Sequence, residues 1–445
     1  MSGTRAASVK KHCVRSLFRS SLIVLLLVLY ATLSRGQAPM PMAVATPLNR
    51  LLEEAEQNNP AIRAARQEWE AAKQIPTQVS TLPDPQFMLQ HVSVGSPRPF
   101  AGYTNSDFAY VGLGVSQDIP YPGKLHLRAE VAKRDAEVLE KQYESARRSL
   151  RSEVKSAYYQ LSYLSRMLSI LDSNAQLLQQ VEQAADARYR SGMGNQQDLL
   201  QAQLERTKLV RELTMHHLEV AKLQAQLKQM LGRSQSSPDI EPEALAESPL
   251  DSSFDELLSA AKVQNPSISA AEKTTEKQSL QVDLARKDFY PDFNVQYMWQ
   301  RTDPAQSRAY YMLTFSVRVP IYRSRKQNPA LVQAETEFSR SRSERDAKEQ
   351  QVALELRTAY DIVQQTAELL KIYREGLQLQ ARGGFEAGLA AYQSSRQEFE
   401  PLLLSVLEVL HLDQEYWQNI AEYETALGQL EELTGLSLRG EGGQR

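Results

Sequence analysis

Histidine and acidic side chains are the residues of this 445-residue chain that could bind a metal ion or transfer a proton. His216 and His217 are adjacent on a predicted helix, so their rings point about 100° apart and cannot hold one ion as an i, i+4 pair can. No glycine-rich phosphate loop follows a predicted strand. We therefore predict no catalytic residue, no metal site and no cofactor, which means that the protein is not an enzyme. The other histidines beyond residue 38 are His91, His126 and His411.

The only cysteine, Cys13, lies in a predicted signal peptide that covers residues 1–38. A basic leader precedes an apolar run at 22–30, and Gly36-Gln37-Ala38 offers small residues at a cleavage point. The alternative is a membrane anchor, but the run is too short to cross about 30 Å of hydrocarbon. Removal of the leader leaves a net charge of about −9 and no cysteine for a disulfide or a lipid. This charge disfavours nucleic acid as a partner.

Two long helices are predicted to organise the remaining chain. Apolar residues recur at alternating steps of four and three through residues 150–178, which is coiled-coil spacing. The same pattern returns 202 residues later, and Glu-Val-Lys-Ser-Ala-Tyr at 153–158 matches Glu-Leu-Arg-Thr-Ala-Tyr at 355–360. The chain is therefore predicted to contain two copies of one long-helix unit.

Each predicted copy has the same order of elements. It opens with a helical segment broken at an Asn-Pro pair (Asn59-Pro60 and Asn265-Pro266), continues through two strands, and ends in a long helix and a return helix. The predicted divisions are a lead-in at 39–47, a first repeat at 48–233, a linker at 234–250, a second repeat at 251–436 and a disordered tail at 437–445.

The predicted strands alternate between apolar and polar residues. An open sheet edge is prohibitive in lipid, so a membrane-spanning sheet must close, and four strands are too few to enclose a lumen. Several chains must therefore contribute strands to one barrel. The alternative is a soluble β-sandwich that caps a coiled coil. Aromatic residues near the strand ends favour the barrel, because aromatics are enriched at membrane interfaces: Tyr297, Trp299, Tyr310 and Tyr311.

The junctions between strands and long helices carry a specific motif. Ser-Gln-Asp-Ile-Pro-Tyr-Pro-Gly-Lys-Leu at 116–125 follows the strands of the first copy, and Leu-Pro-Asp-Pro at 82–85 precedes them. Pro120 and Pro122 lack backbone donors and Gly123 permits a sharp turn, whereas the second copy keeps Pro320 and has no glycine. With the duplicated plan, these motifs make the chain resemble the TolC-like outer membrane efflux protein family, and its heavy-metal efflux branch in particular.

The resemblance implies a mainly helical fold with a small β part. Three chains would form a 12-stranded outer-membrane barrel on a periplasmic helical tube, in contact with lipid, a periplasmic adaptor and an inner-membrane pump. The function implied is a passive exit duct for tripartite efflux or type I secretion, with heavy-metal cations as one candidate cargo. A periplasmic coiled-coil adaptor is the alternative, although adaptors usually carry one hairpin and this chain has two.

Each long helix is separated from its return helix by a short turn, near residue 192 in the first copy and near residue 395 in the second. The resemblance places both turns at the periplasmic mouth. Tyr189 followed by Gly192 fits the family pattern, whereas Tyr392 is followed by Ser395, which leaves open whether the second tip turns identically. Acidic residues at these tips would form a cation-selecting ring in a trimer, or they are ordinary first-turn acids favoured by the helix dipole. The tip candidates are Gly192, Asn195, Asp198, Ser395, Glu398 and Glu400.

Overall fold

The fold is described from a computed structural model at residues 45–93, 109–245, 248–302 and 309–438. The chain divides into two compact units, residues 1–46 and residues 47–445, and the second unit is described below. The predicted signal peptide, most of the predicted lead-in and most of the predicted tail lie outside the described residues.

The two halves of the second unit have the same order of elements. The first half contains α1 (Leu48–Asn58), α2 (Pro60–Ala72), α3 (Ile75–Ser80), β1 (Gln86–Val92), β2 (Tyr110–Ile119), α4 (Lys124–Arg190) and α5 (Gln196–Met230). The second half contains α6 (Phe254–Gln264), α7 (Pro266–Lys287), β3 (Asp292–Thr302), β4 (Ala309–Arg318), α8 (Gln327–Ile372), a π-turn (Tyr373–Leu377), α9 (Gln378–Gln393) and α10 (Phe399–Thr434). The mainly helical fold with a small sheet is confirmed.

The Asn-Pro pairs separate two helices in each half, as predicted. The Asn59 side chain accepts hydrogen bonds from the amides of Ala61 and Ile62 and donates one to the Met230 carbonyl at the end of α5. Asn265 does the same at the start of α7 and donates to the Leu433 carbonyl in α10. Each asparagine therefore caps a helix and ties it to the end of the return helix.

The predicted apolar stripe forms the buried face of the long helices. In α4 all nine positions are buried or half-buried, and in α8 the stripe is buried from Val352 to Leu370. The repeated pattern places Leu377 on the stripe, 202 residues after Ala175, but the Leu377 side chain is exposed. The reason is the π-turn, whose wider turn takes up an extra residue and rotates the following side chains away from the stripe.

The four strands form one antiparallel sheet in the order β1-β2-β3-β4. The central pairing joins the two halves, because β2 of the first half pairs with β3 of the second. β1 and β4 therefore form the two edges of the sheet within the described chain. No helix in the described ranges is long and apolar enough to cross a membrane.

Candidate functional site

Each helical hairpin ends in a short turn, which we call tip 1 (residues 191–195) and tip 2 (residues 394–398). In tip 1 the Gly192 amide donates to the Tyr189 carbonyl at 3.0 Å and the Met193 amide donates to the Arg188 carbonyl at 2.9 Å. Tip 2 repeats both hydrogen bonds at the same lengths, from Ser395 to Tyr392 and from Arg396 to Ala391. Both tips thus have the Schellman arrangement that ends a helix.

The left-handed residue differs between the tips. Gly192 has φ of 73° and Ser395 has φ of 59°, so the serine adopts the conformation that glycine adopts in tip 1. The second tip therefore closes in the same way despite the loss of glycine, with the backbone strain that a side chain brings to this region. Asn195 and Glu398 are the N-cap residues of α5 and α10, and neither side chain makes a capping hydrogen bond.

Arg188, in the last turn of α4, joins the two tips. Its Nη1 donates to the Tyr392 carbonyl at 3.1 Å and to the Gln397 carbonyl at 3.5 Å, and its Nη2 donates to the Met193 carbonyl at 3.2 Å. Its guanidinium also lies over the Tyr392 ring, 4.4 Å from the centroid. One cation therefore contacts carbonyl groups of both hairpins and an aromatic face, and its contacts hold the hairpins together at this end.

Tyr392 and Tyr189 occupy equivalent positions before the tips but have different surroundings. Tyr392 is 1% exposed and packs edge-on against Phe399, whereas Tyr189 is 44% exposed. Burial, and next the Asp198 carboxylate, raise the pKa of Tyr392, and the Arg188 charge opposes this rise. The Tyr392 side chain is thus influenced by a carboxylate and a guanidinium of the first hairpin, whose charges act on its pKa in opposite directions.

The predicted acidic residues also differ in exposure. Glu398 and Glu400 are exposed at the second tip, and Asp198 is half-buried where it faces Tyr392. Asp198 and Glu400 each lie in the first turn of a helix. The structure therefore leaves the two glutamates available to the medium, while the aspartate is half-buried.

The predicted strand-to-helix junction of the first half is built around a buried lysine. Pro120 follows β2, Pro122 is exposed, and Gly123 has φ of 90° at the N-cap of α4. Lys124 directly follows and its ammonium pairs with Asp292 at 2.9 Å and with Asp288 at 3.2 Å.

Both aspartates lie in or beside the start of β3, so the Lys124 ion pairs fasten the first half to the second. Tyr121 stacks on Tyr290 beside them, with ring centroids 4.6 Å apart. The corresponding proline of the second half, Pro320, follows β4 without an equivalent glycine.

One face of the sheet is apolar and exposed across all four strands. Two rows run directly across the strands, and their members are Phe87, Val115, Tyr297 and Leu313, then Leu89, Leu113, Trp299 and Tyr311. Phe87 is 82% exposed. Of the predicted interface aromatics, Tyr297, Trp299 and Tyr311 lie on this face and Tyr297 lies at mid-strand. Tyr310 pairs with Gln300 on the opposite face.

The described residues contain no group of three or more histidine, cysteine or acidic side chains that could hold a metal ion. His216 pairs with Glu219 at 3.0 Å and His411 pairs with Glu415 at 3.1 Å, each one turn away on its own helix. These histidines therefore have local helix partners.

Neither Arg188 nor the ion pairs of Lys124 were predicted from the sequence. Arg188 stands where the second half has Ala391, so a departure from the repeat beside the matched tyrosines was the available signal. Lys124 lies within the junction motif at 116–125, but periodicity gives no information on which charges meet.

Several solved structures share this fold. The outer-membrane channel OprN is 17% identical with a TM-score of 0.76, over 88% of this chain and 91% of that chain. CusC, described as forming a transmembrane channel, is 18% identical with a TM-score of 0.75, over 91% and 96%. The Vibrio cholerae outer membrane protein VceC is 16% identical with a TM-score of 0.74, over 88% and 97%. No curated protein matches the chain in sequence.

The sequence model of a family described as outer membrane efflux protein matches residues 51–233 and 257–429, which is most of the chain. The resemblance to TolC-like proteins is thereby confirmed. By sequence and by fold, this chain belongs to the outer membrane efflux protein family.

Proposed function

We propose that three copies of this chain form one passive exit duct, with a twelve-stranded barrel in the outer membrane and a helical tube in the periplasm. Outer-membrane location and efflux follow from the family. The trimer, the closed barrel and the absence of catalysis are our proposal. The observation that carries it is the four-stranded sheet with an apolar exposed face and an edge strand at each side.

The sheet has dimensions and surface chemistry that suit a lipid bilayer. β2, β3 and β4 contain 10, 11 and 10 residues, which is the length of a tilted transmembrane strand. In lipid the free backbone groups of β1 and β4 each cost several kcal/mol, so the edges must find partners. Strands from other copies satisfy both edges and leave the apolar face toward lipid.

We infer that the tips receive the cargo. They lie at the far ends of the long helices from the sheet, where a periplasmic adaptor and an inner-membrane pump would meet the duct. The contact of Arg188 with both hairpins supports a mouth whose width depends on how the hairpins are held together. The energy for transport would come from the pump, since the duct itself has no proposed energy source.

The cargo class is proposed from the sequence motif alone. The junction at 116–125 resembles the heavy-metal branch, so we propose metal cations as the cargo. A strain that lacks this chain should become sensitive to transition-metal salts, and the wild-type gene should restore growth. Sensitivity to organic toxins alone would reject metal cargo and retain the duct.

The mass of the signal-processed protein extracted from outer membranes in detergent tests the assembly. A particle of three chains, hollow and longer than about 100 Å as the long helices require, is the expected result. A protein that stays in solution without detergent as a monomer or dimer would overturn the duct. The sheet would then be a soluble cap, and the chain would be interpreted as a periplasmic adaptor instead of a duct.

A further inference from the structure

We propose that the segment between β4 and α8 binds the anionic headgroups of membrane phospholipids. This segment covers residues 319–326, and we call it the second junction. The inference rests on the proposed membrane-spanning sheet and adds the class of lipid that meets its rim. The group bound is the phosphate diester of a lipid with a net negative charge, such as phosphatidylglycerol.

The exposed stripe of β4 continues beyond the strand into the second junction. Every second residue from position 311 to position 321 is apolar or aromatic and exposed, and the members are Tyr311, Leu313, Phe315, Val317, Val319 and Ile321. The strand ends at Arg318, so Val319 and Ile321 extend this surface past the paired sheet.

The stripe has the height of the apolar layer of a membrane. At about 3.3 Å per residue, the ten steps from Tyr311 to Ile321 cover up to about 33 Å along the chain. A strand tilt of about 45° reduces this to about 23 Å across the membrane, close to the apolar band of about 25 Å in outer-membrane barrels. The residues that directly follow Ile321 are therefore placed at the level of the lipid headgroups.

A run of basic residues occupies this level. Tyr322 is 69% exposed, and three exposed cations follow it, Arg323, Arg325 and Lys326. Within the described ranges, none of these three cations forms an ion pair. A tyrosine and free basic side chains, directly after an apolar surface, are the groups that suit the membrane–water interface and its phosphates.

The acidic residues near the second junction already have partners. Asp288 and Asp292 both pair with Lys124. Glu335, the first acidic residue after the basic run, pairs with Arg286 at 3.6 Å. The positive charge of the run is therefore not neutralised by these neighbours and is available to phosphate groups.

The first half shows that a connection between strand and helix needs no exposed cation. The segment between β2 and α4, residues 120–123, contains no basic residue. The first residue of α4, Lys124, has a side chain that is 4% exposed and held in ion pairs. The basic run of the second junction is therefore not a requirement of the turn, and contact with anionic headgroups gives it a function.

Native mass spectrometry of the signal-processed, three-chain particle tests this surface. The particle in detergent is mixed with equal amounts of phosphatidylglycerol and phosphatidylcholine, and each kind of bound lipid is counted. We expect phosphatidylglycerol to be retained in excess. Arg323→Gln with Arg325→Gln and Lys326→Gln should lower this excess about tenfold or more, because each basic residue near an anionic surface contributes roughly a fivefold preference.

Two variants serve as matched controls. Arg206→Gln with Lys208→Gln and Arg211→Gln removes the same charge from three exposed residues of α5, and the lipid excess should not change. Arg323→Lys with Arg325→Lys keeps the charge of the second junction and should retain most of the excess. An equal loss in both glutamine variants would show a general effect of net charge and would overturn the lipid surface.

Inorganic phosphate distinguishes a lipid surface from a site for a free anion. Excess phosphate at constant ionic strength should leave phosphatidylglycerol on the particle, because the acyl chains also contact the apolar stripe. Displacement of the lipid by phosphate alone would identify a free-anion site and overturn the lipid surface.

A depth measurement tests the same inference without removing any charge. Ile321→Cys and Ser324→Cys, each carrying a nitroxide label, are placed in vesicles of phosphatidylcholine and phosphatidylglycerol, and the natural Cys13 lies in the predicted signal peptide. The Ile321 label should be more accessible to oxygen and the Ser324 label should lie at headgroup depth. A Ser324 label as accessible to an aqueous nickel complex as a label at Arg211→Cys would overturn the inference.

The outcomes separate this inference from the proposed function. A three-chain particle whose lipid excess is unchanged in the glutamine variant of the second junction would overturn the lipid surface and retain the duct. A wild-type protein that stays in solution without detergent as a single chain would overturn both.

Discussion

The two tips have the same backbone turn and different side-chain surroundings. Equivalent hydrogen bonds close both turns, although one uses Gly192 and the other Ser395 in the left-handed position. Before the turns, Tyr392 is buried under Arg188, whereas Tyr189 faces outward. The two tips therefore share one backbone turn, and the contact between the hairpins depends on side chains that differ between the tips, such as Arg188 in place of Ala391.

The largest expected effect comes from truncating the two tyrosines. Tyr392→Ala should destabilise the tip region by about 3–5 kcal/mol, because it removes a buried aromatic ring. Tyr189→Ala, the matched control, should cost about 0.5 kcal/mol or less because that ring is exposed. Hydrogen exchange of the last turns of α4 and α9 measures both. Equal exchange in the two variants would show that the difference in burial has no energetic consequence.

Removal of the Arg188 side chain should have the next largest effect. Arg188→Ala deletes hydrogen bonds from a charged donor to both hairpins, which are typically about 1.5–3 kcal/mol each when buried and less at this half-exposed site. We expect the mouth to widen and the single-channel conductance in planar bilayers to rise. Arg190→Ala, which removes an exposed arginine that pairs with Asp186 on its own helix, is the control. Unchanged conductance in Arg188→Ala would show that the contacts of Arg188 do not set the width of the mouth.

The left-handed residue gives a smaller, reciprocal effect. Ser395→Gly should stabilise its tip by about 0.5–1 kcal/mol and Gly192→Ser should destabilise its own by a similar amount. A side chain at Gly192 would meet no atom within 4 Å, so only the backbone conformation changes. Exchange rates of the tip amides report both shifts. If both variants stabilise or both destabilise their tips, the proposal that the two turns are equivalent is wrong.

The acidic residues should have the smallest effect on stability and a separate effect on transport. Replacing the exposed Glu398 and Glu400 by Gln should lower cation selectivity in bilayers, if they ring the mouth. Asp198→Asn should change selectivity less, because this carboxylate faces Tyr392. Reversal potentials in a salt gradient measure the difference. Selectivity unchanged in all three would leave the acids as ordinary first-turn residues.

Much of the fold could be predicted from sequence because local patterns specify it. The four-three spacing gives the buried stripe of α4, the Asn-Pro pairs give the helix breaks, and alternation gives the strands. The incorrect position, Leu377, is the last residue of the π-turn. The repeat offset is 202 residues in the apolar stripe and 203 residues between Tyr189 and Tyr392, and this increase of one residue was the available signal for that turn.

By itself, the sequence determined the duplicated plan, the helix and strand periods and the family resemblance, because each depends on residues close in the chain or on one copy matched to the other. Only the tertiary structure decided that Arg188 reaches Tyr392, that Lys124 pairs with Asp292, and which tyrosine is buried. Tyr189 and Tyr392 have equivalent local patterns. Their difference arises from side chains far away in the sequence that packing brings together, and such contacts leave no period in the chain.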